Sequence, residues 1–249
     1  MIKLYSGFLL ALSLALFNSA SVQAATSDYK VELLVFSHLS SDSLDDEIWP
    51  TIDTLPSRRS RALKYYQKGQ QNGYFTRLPK SSLSLSAKQA SIKRSSLYRV
   101  LFHEAWIQPI GSQKDKYVIR INGGDVLDNG LYELDGHISV DKARYLHFRS
   151  DLFHSRSLSS VENTTLLKTS VEQAINAELN QQPEITEETA PATSEQASES
   201  TNGNRYLNQT AIPDFLTVEM KSARRMRRAE LHYLDHPLFG ALVRITPIK

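Results

Sequence analysis

The chain has 249 residues, with 29 Lys+Arg against 27 Asp+Glu, 41% hydrophobic residues and no cysteine. The lack of cysteine excludes a disulfide framework and leaves no thiol for lipid attachment at a cleavage site, so stability has to come from a buried core. This length suffices for one domain, or for one domain with appendages.

At the N-terminus, MIKLYSGFLLALSLALFNSASVQA places one lysine before an apolar run from Phe8 to Phe17 and then reaches small residues at Val22-Gln23-Ala24. That pattern predicts a secretory signal peptide over residues 1–24, cleaved after about Ala24. Its apolar core of roughly ten residues is too short to span a bilayer, and no later segment approaches the roughly twenty that a helix needs. A soluble mature protein is therefore expected. The Gram-negative periplasm is its expected compartment, because a eukaryotic secreted protein of this size more often carries cysteine pairs. Cleavage leaves 28 Lys+Arg against 27 Asp+Glu. Residues 181–204, QQPEITEETAPATSEQASESTNGN, hold five glutamates and no base, so the rest of the mature chain carries 28 positive against 22 negative charges. Too poor in large apolar residues to offset its ordering entropy, this segment reads as a disordered acidic loop. It interrupts a single domain built from residues 25–180 and 205–249.

YKVELLVFSHL, Tyr29 to Leu39, is rich in β-branched and apolar residues and predicts the first core strand. Pro50, Pro56, Pro79, Gly69 and Gly73 then punctuate a stretch of loops and short helices. Helix formers from Leu85 to Ser95 follow a serine cap candidate at Ser84 or Ser86. From Leu97 to Ile110, LYRVLFHEAWIQPI has no purely polar face, as in a central strand covered on both sides. KYVIRIN leads into the loop GGDVLDNG, after which LYELDGHISV and ARYLHFRSDLF read as a hairpin turning at Val140-Asp141-Lys142. Leu167, Val171, Ile175 and Leu179 recur every fourth residue, a helical stripe. FLTVEMKSARRM, RAELHYLDH and GALVRITPI close the chain as three strands. The fold class expected is α+β, a mainly antiparallel sheet with a few helices, and the strand–helix–strand opening permits a ferredoxin-like element.

Few catalytic or metal constellations survive inspection. His232 and His236 are spaced as zinc ligands on a helix, but Pro237 pushes its predecessor toward extended backbone. On a strand the two would lie roughly 13 Å apart, too far for one ion. Ser139-Val-Asp-Lys142 matches SxxK but sits in a predicted hairpin, without SDN or KTG. Asp45, Asp46 and Glu47 read as a solvated acidic loop rather than a glycosidase pair. Asp125, Asp128 and Asn129 fail the calcium-loop spacing. No metal or cofactor is expected.

RRMRRAELHYLDHP, residues 224 to 237, concentrates four arginines at 224, 225, 227 and 228. Such a cluster suits phosphates or carboxylates, the planar guanidinium donating two parallel hydrogen bonds. Export argues against nucleic acid and toward anionic wall polymers, while a charged edge that merely resists aggregation is the plainer alternative. Trp49, Trp106, Tyr65, Tyr66 and Tyr74 offer flat faces for sugar rings, although aromatics more often fill a core.

YKVELLVFSH running into EIWP, LYRVLFHEAWIQP, LDGHISVDKARYLHFRSDL and, most specifically, SARRMRRAELHYLDHPLFGALVRITP resemble the CsiV family of periplasmic peptidoglycan-binding proteins. The resemblance covers most of the mature chain outside the acidic loop. It implies a non-catalytic protein without cofactor that binds peptidoglycan and supports cell-wall synthesis and cell shape. It assigns no contact residues. On this reading Arg224, Arg225, Arg227 and Arg228, joined by Arg99, Arg144 and Arg149, form a basic rim for stem-peptide carboxylates, and Trp106 or Tyr145 meets the glycan. A protein adaptor for a peptidoglycan synthase or its outer-membrane lipoprotein activator is the alternative.

Overall fold

The computed structural model describes residues 27–40, 44, 60–112, 116–179 and 214–248. The signal segment 1–24, the acidic stretch 181–204, Asp45, Asp46, Glu47 and Trp49 lie outside the described residues. The fold is α+β and dominated by antiparallel strands.

Two sheets carry the structure. The first contains β1 (Ser27–His38), β2 (Gln71–Asn72), β3 (Phe75–Arg77), β4 (Tyr98–Ile110), β9 (Leu231–His236) and β10 (Phe239–Pro247), in the order β2-β3-β4-β1-β10-β9. The second contains β5 (Val118–Val126), β6 (Tyr132–Lys142), β7 (Leu146–Ser157) and β8 (Phe215–Met226), in chain order. Among the described residues there are two α-helices, α1 (Ser86–Arg94) between β3 and β4 and α2 (Ser160–Leu179) between β7 and β8. Among the described residues no helix is long and apolar enough to cross a membrane.

Alternation along the strands decides what is buried. Val31, Leu33 and Val35 of β1, Trp106 of β4, Ile119 and Ile121 of β5, Leu134 and Ile138 of β6, Phe148 and Leu152 of β7, Val218 and Met220 of β8 and Val243 of β10 form one apolar cluster between the sheets. β4 and β5 come into close contact. A Cβ on Gly123 would stand 2.2 Å from the Leu101 carbonyl oxygen, so only glycine fits there.

The far side of β1 is buried too, which explains its nearly unbroken apolar run. Its buried acid, Glu32, is anchored by a later segment. Glu32 accepts hydrogen bonds from the amides of Ser84 (2.9 Å) and Leu85 (2.8 Å), and from His103 Nε2 at 3.0 Å. This carboxylate fastens the segment before α1 onto the sheet. Burial pushes its pKa up, but the hydrogen bonds from His103, Ser84 and Leu85 outweigh that and hold it at about 2.

Several expectations are corrected here. The ferredoxin-like element does not form, because β1 and β4 are antiparallel neighbours and the intervening chain never makes a parallel crossover between them. Ser84 and Ser86 do not cap α1. Leu85 holds that position, Ser84 being engaged with Glu32 while Ser86 Oγ donates to the Leu83 carbonyl. The β6–β7 hairpin turns at residues 143–145, since Val140, Asp141 and Lys142 remain paired with Phe148, His147 and Leu146. GGDVLDNG is not all loop, its first four residues extending β5. In the stripe on α2, the side chains of Leu167, Val171 and Leu179 lie outside the described residues, Ile175 is exposed, and Leu166 packs on the core instead.

Candidate functional site

The outer face of the second sheet is polar for the reason its inner face is apolar: successive residues of a strand point to opposite sides. Strand register lines these residues into rows. Val118, Ser139, Arg149 and Ala223 run across the four strands in one row. Beside it runs Arg120, His137, Asp151 and Lys221, and on the other side Asp141, His147 and Arg225. Each full row spans roughly 14 Å at the usual strand spacing. Small side chains at Ser139 and Ala223 leave room between larger neighbours. The result is an open groove of ≈ 490 Å³ whose walls include Lys116, His137, Arg149, Asp151 and Lys221.

Charge in the groove is arranged by buried acids. Asp141, 1% exposed, accepts from Arg149 Nε at 3.0 Å, with the His147 ring 3.6 Å away. Arg149 is thus held in place while a third of it stays exposed. Asp135 takes Arg120 in a two-pronged pair at 2.9 and 2.7 Å, and the Arg120 guanidinium also donates to the Ser60 carbonyl. That pair closes the face at its other end. Burial lowers the His137 pKa and keeps the ring neutral, with Arg120 acting in the same direction against Asp135 and Asp151. A hydrogen bond with Asp151, reinforced by burial and by the Asp151 charge, raises the Glu219 carboxyl against the pull of Lys221.

At the hairpin end lies the second part of the site. Tyr145, in the β6–β7 turn, is 38% exposed and sits between two cations. The guanidinium carbons of Arg225 and Arg144 lie 3.7 Å and 5.5 Å from its ring centroid. The contact restricts a long flexible side chain to the neighbourhood of the ring.

Of the residues expected to act, Arg144, Arg149, Arg225 and Tyr145 are brought onto this one face. The other three arginines of the 224–228 cluster diverge. Arg224, on the opposite side of β8, donates to the Tyr233 carbonyl at 2.6 Å. Arg227 and Arg228 are exposed in the turn to β9, Arg227 standing 3.9 Å from Glu230. Arg99 is not part of the rim. It pairs with Asp125 and Glu133, both at 2.7 Å, and Glu133 lies eight residues along β6 from Asp141, roughly 26 Å away. Trp106 is corrected outright: it is fully buried in the core, its Nε1–H donating to Gln108 Oε1 at 2.6 Å, and meets no glycan.

The remaining motifs resolve locally. His232 and His236 lie on β9, accepting the amides of Arg227 and Leu238 at 3.2 Å each. Among the described residues no cluster of three or more His, Asp or Glu side chains is placed to hold a metal ion. Ser139 and Lys142, three apart on β6, face opposite sides, and the Lys142 amine sits over the Tyr29 ring at 5.7 Å. Sequence reasoning missed Lys116, His137, Asp151 and Lys221. The signal was present in the alternating polar positions of GHISVDK, HFRSD and KSARR, which mark one solvated face once the strands are paired.

No curated protein matches the chain in sequence. Among solved structures, it is similar to the InvG secretin domain β-barrel from the Salmonella SPI-1 injectisome NC-base, at 7% identity over 98% of this chain and 68% of that one. The TM-score of 0.26 is too low to carry an argument. The family described as "Peptidoglycan-binding protein, CsiV" matches residues 9–248, and on that match the chain belongs to the CsiV family.

Proposed function

We propose that the protein is exported to the periplasm and binds peptidoglycan, without catalysing its cleavage, through the outer face of the second sheet. The observation carrying this reading is an open groove lined by Lys116, Arg149 and Lys221, with Arg225 and Arg144 held against Tyr145 at the hairpin end of the same sheet. Stem peptides of the wall end in and carry carboxylates, and guanidinium forks donate paired hydrogen bonds to them. Support for wall synthesis and cell shape would follow from holding the protein on the polymer where synthesis occurs.

Incubation with purified, protein-free sacculi tests it: the mature protein should pellet with them and release no soluble muropeptides. A protein left in the supernatant contradicts the reading, and released fragments contradict its non-catalytic part. A second reading has its own observation. β8 is an edge strand twelve residues long, a template for strand addition by a protein such as a synthase or its lipoprotein activator. A pure adaptor would bind that partner and ignore stripped sacculi.

A further inference from the structure

Between Lys116 and Val118, which line the groove, Tyr117 stacks with a second tyrosine. Tyr74 sits in the β2–β3 turn beside Gly73, whose φ of 64° makes the tight reversal. Its ring lies 4.1 Å from that of Tyr117, nearly parallel at 11°. Tyr117 supports the stack from the start of β5 and is half-buried, whereas Tyr74 is 60% exposed, so one flat face of Tyr74 is covered by its partner and the other meets solvent. The neighbouring tyrosines are differently occupied. Tyr65 and Tyr132 share a 3.0 Å hydrogen bond between hydroxyls, and the Lys64 amine stands over both rings, at 5.2 and 4.8 Å. Among the described residues no cation covers the Tyr74 ring in the way Lys64 covers Tyr65 and Tyr132.

The residues flanking Tyr117 connect this platform with the groove. Lys116 and Val118 both line it, and Val118 is 59% exposed, extending apolar surface from the tyrosine pair toward the Ser139–Arg149 row. An uncharged flat ring beside a cationic trough matches a polymer in which neutral sugar rings carry anionic branches. We infer that the Tyr74–Tyr117 stack is a glycan subsite, holding the apolar C–H face of an N-acetylated pyranose while the attached stem peptide enters the groove past Lys116 toward Arg149. This rests on the peptidoglycan reading and assigns it a sugar-binding edge. An aromatic face suits this role because its negative quadrupole attracts polarised C–H groups without demanding charge.

The test uses peptide-free glycan strands, released from sacculi by amidase, titrated into the mature protein. Ring resonances of Tyr74 and Tyr117 should shift while those of Tyr145 do not. Replacing Tyr74→Ala should weaken strand binding roughly tenfold, whereas Tyr74→Phe, which keeps the flat face, should bind as the unmodified protein does. The melting temperature of each variant reports whether loss of the stack has merely loosened the two sheet edges it joins. Unshifted Tyr74 and Tyr117 resonances, or equal strand affinity in a folded Tyr74→Ala variant, overturn the inference. If intact sacculi still retain the protein in that case, the peptidoglycan reading survives and only the glycan subsite falls. If the unmodified protein ignores sacculi as well, both fall.

Discussion

The Arg225 guanidinium carbon lies 3.7 Å from the centroid of the Tyr145 ring, closer than any other cation–ring contact described in the chain. Register explains the meeting. Arg225 pairs with His147 across β7 and β8, which carries its side chain to the outer face, beside the turn that displays Tyr145. The contact holds a long flexible side chain near the ring. Removing the ring by Tyr145→Ala should weaken sacculus binding roughly two- to five-fold, the equivalent of an exposed cation–π contact of about 0.5–1 kcal/mol. Arg225→Lys should weaken it too, although the charge is kept, because an ammonium lacks the planar fork. Pelleting isotherms for the two variants check both statements.

Arg99 gives the matching negative prediction. Its guanidinium is committed to Asp125 and Glu133 and stands far from the groove. Arg99→Gln should leave sacculus affinity unchanged while costing about 1 kcal/mol or less of stability, as befits a partly exposed pair. Denaturant unfolding and pelleting, measured together, separate the two effects.

For Trp106 the expected loss is structural. Truncating this fully buried ring by Trp106→Ala should destabilise the fold by about 3–5 kcal/mol. Trp106→Phe leaves Gln108 Oε1 without its 2.6 Å donor and should cost about 1–3 kcal/mol. Whatever Trp106→Phe protein remains folded should bind sacculi with unaltered affinity.

Two buried groups contribute to the acid limb of stability over different windows, with His137 and His236, whose pKa values burial also lowers, adding to the upper one. His154 is 2% exposed, and burial lowers its pKa from 6.5 to about 4, against the hydrogen bond between Nδ1 and the Glu133 carbonyl. The unfolded chain therefore takes up a proton below pH 6.5 that the folded chain refuses, and stability falls from pH 6.5 to about 4, by at most about 3 kcal/mol. Glu32 has its pKa lowered from 4.5 to about 2, so its contribution is present above pH 4.5 and is lost as pH falls toward 2. His154→Gln should flatten the upper window and Glu32→Gln the lower one. Melting temperatures at half-unit pH steps distinguish them.

Much of this was legible from residue order because alternation is a local signal. The runs that became β1, β4, β8 and β10 carry β-branched and apolar residues at the density a covered sheet requires, and they lie where expected. What periodicity does not carry is which strand sits beside which. Tyr29–Leu39 followed by a helix and a second strand is compatible with a parallel crossover, and only the observed pairing of Val31 with Trp106 shows the antiparallel alternative. The same limit explains the site. Arg224 and Arg225 are neighbours in sequence yet face opposite sides of β8, while Arg149 and Ala223, far apart in sequence, are adjacent in a row. Trp106 misled because an aromatic in a strand covered on both faces carries no mark of which neighbour buries it. Glu32 is a polar residue within an apolar run, and its partners Ser84 and Leu85 arrive from more than fifty residues downstream.

The account stands on a cationic groove gripping an anionic polymer, and the salt dependence of sacculus binding tests this most directly. Retention of the unmodified mature protein should fall steadily as ionic strength rises, since exposed charges are screened over roughly 10 Å at 0.1 M salt. A variant with Lys116, Arg144, Lys221 and Arg225 all changed to glutamine should bind weakly at low salt and lose most of that dependence. Retention indifferent both to salt and to these four substitutions would contradict the account.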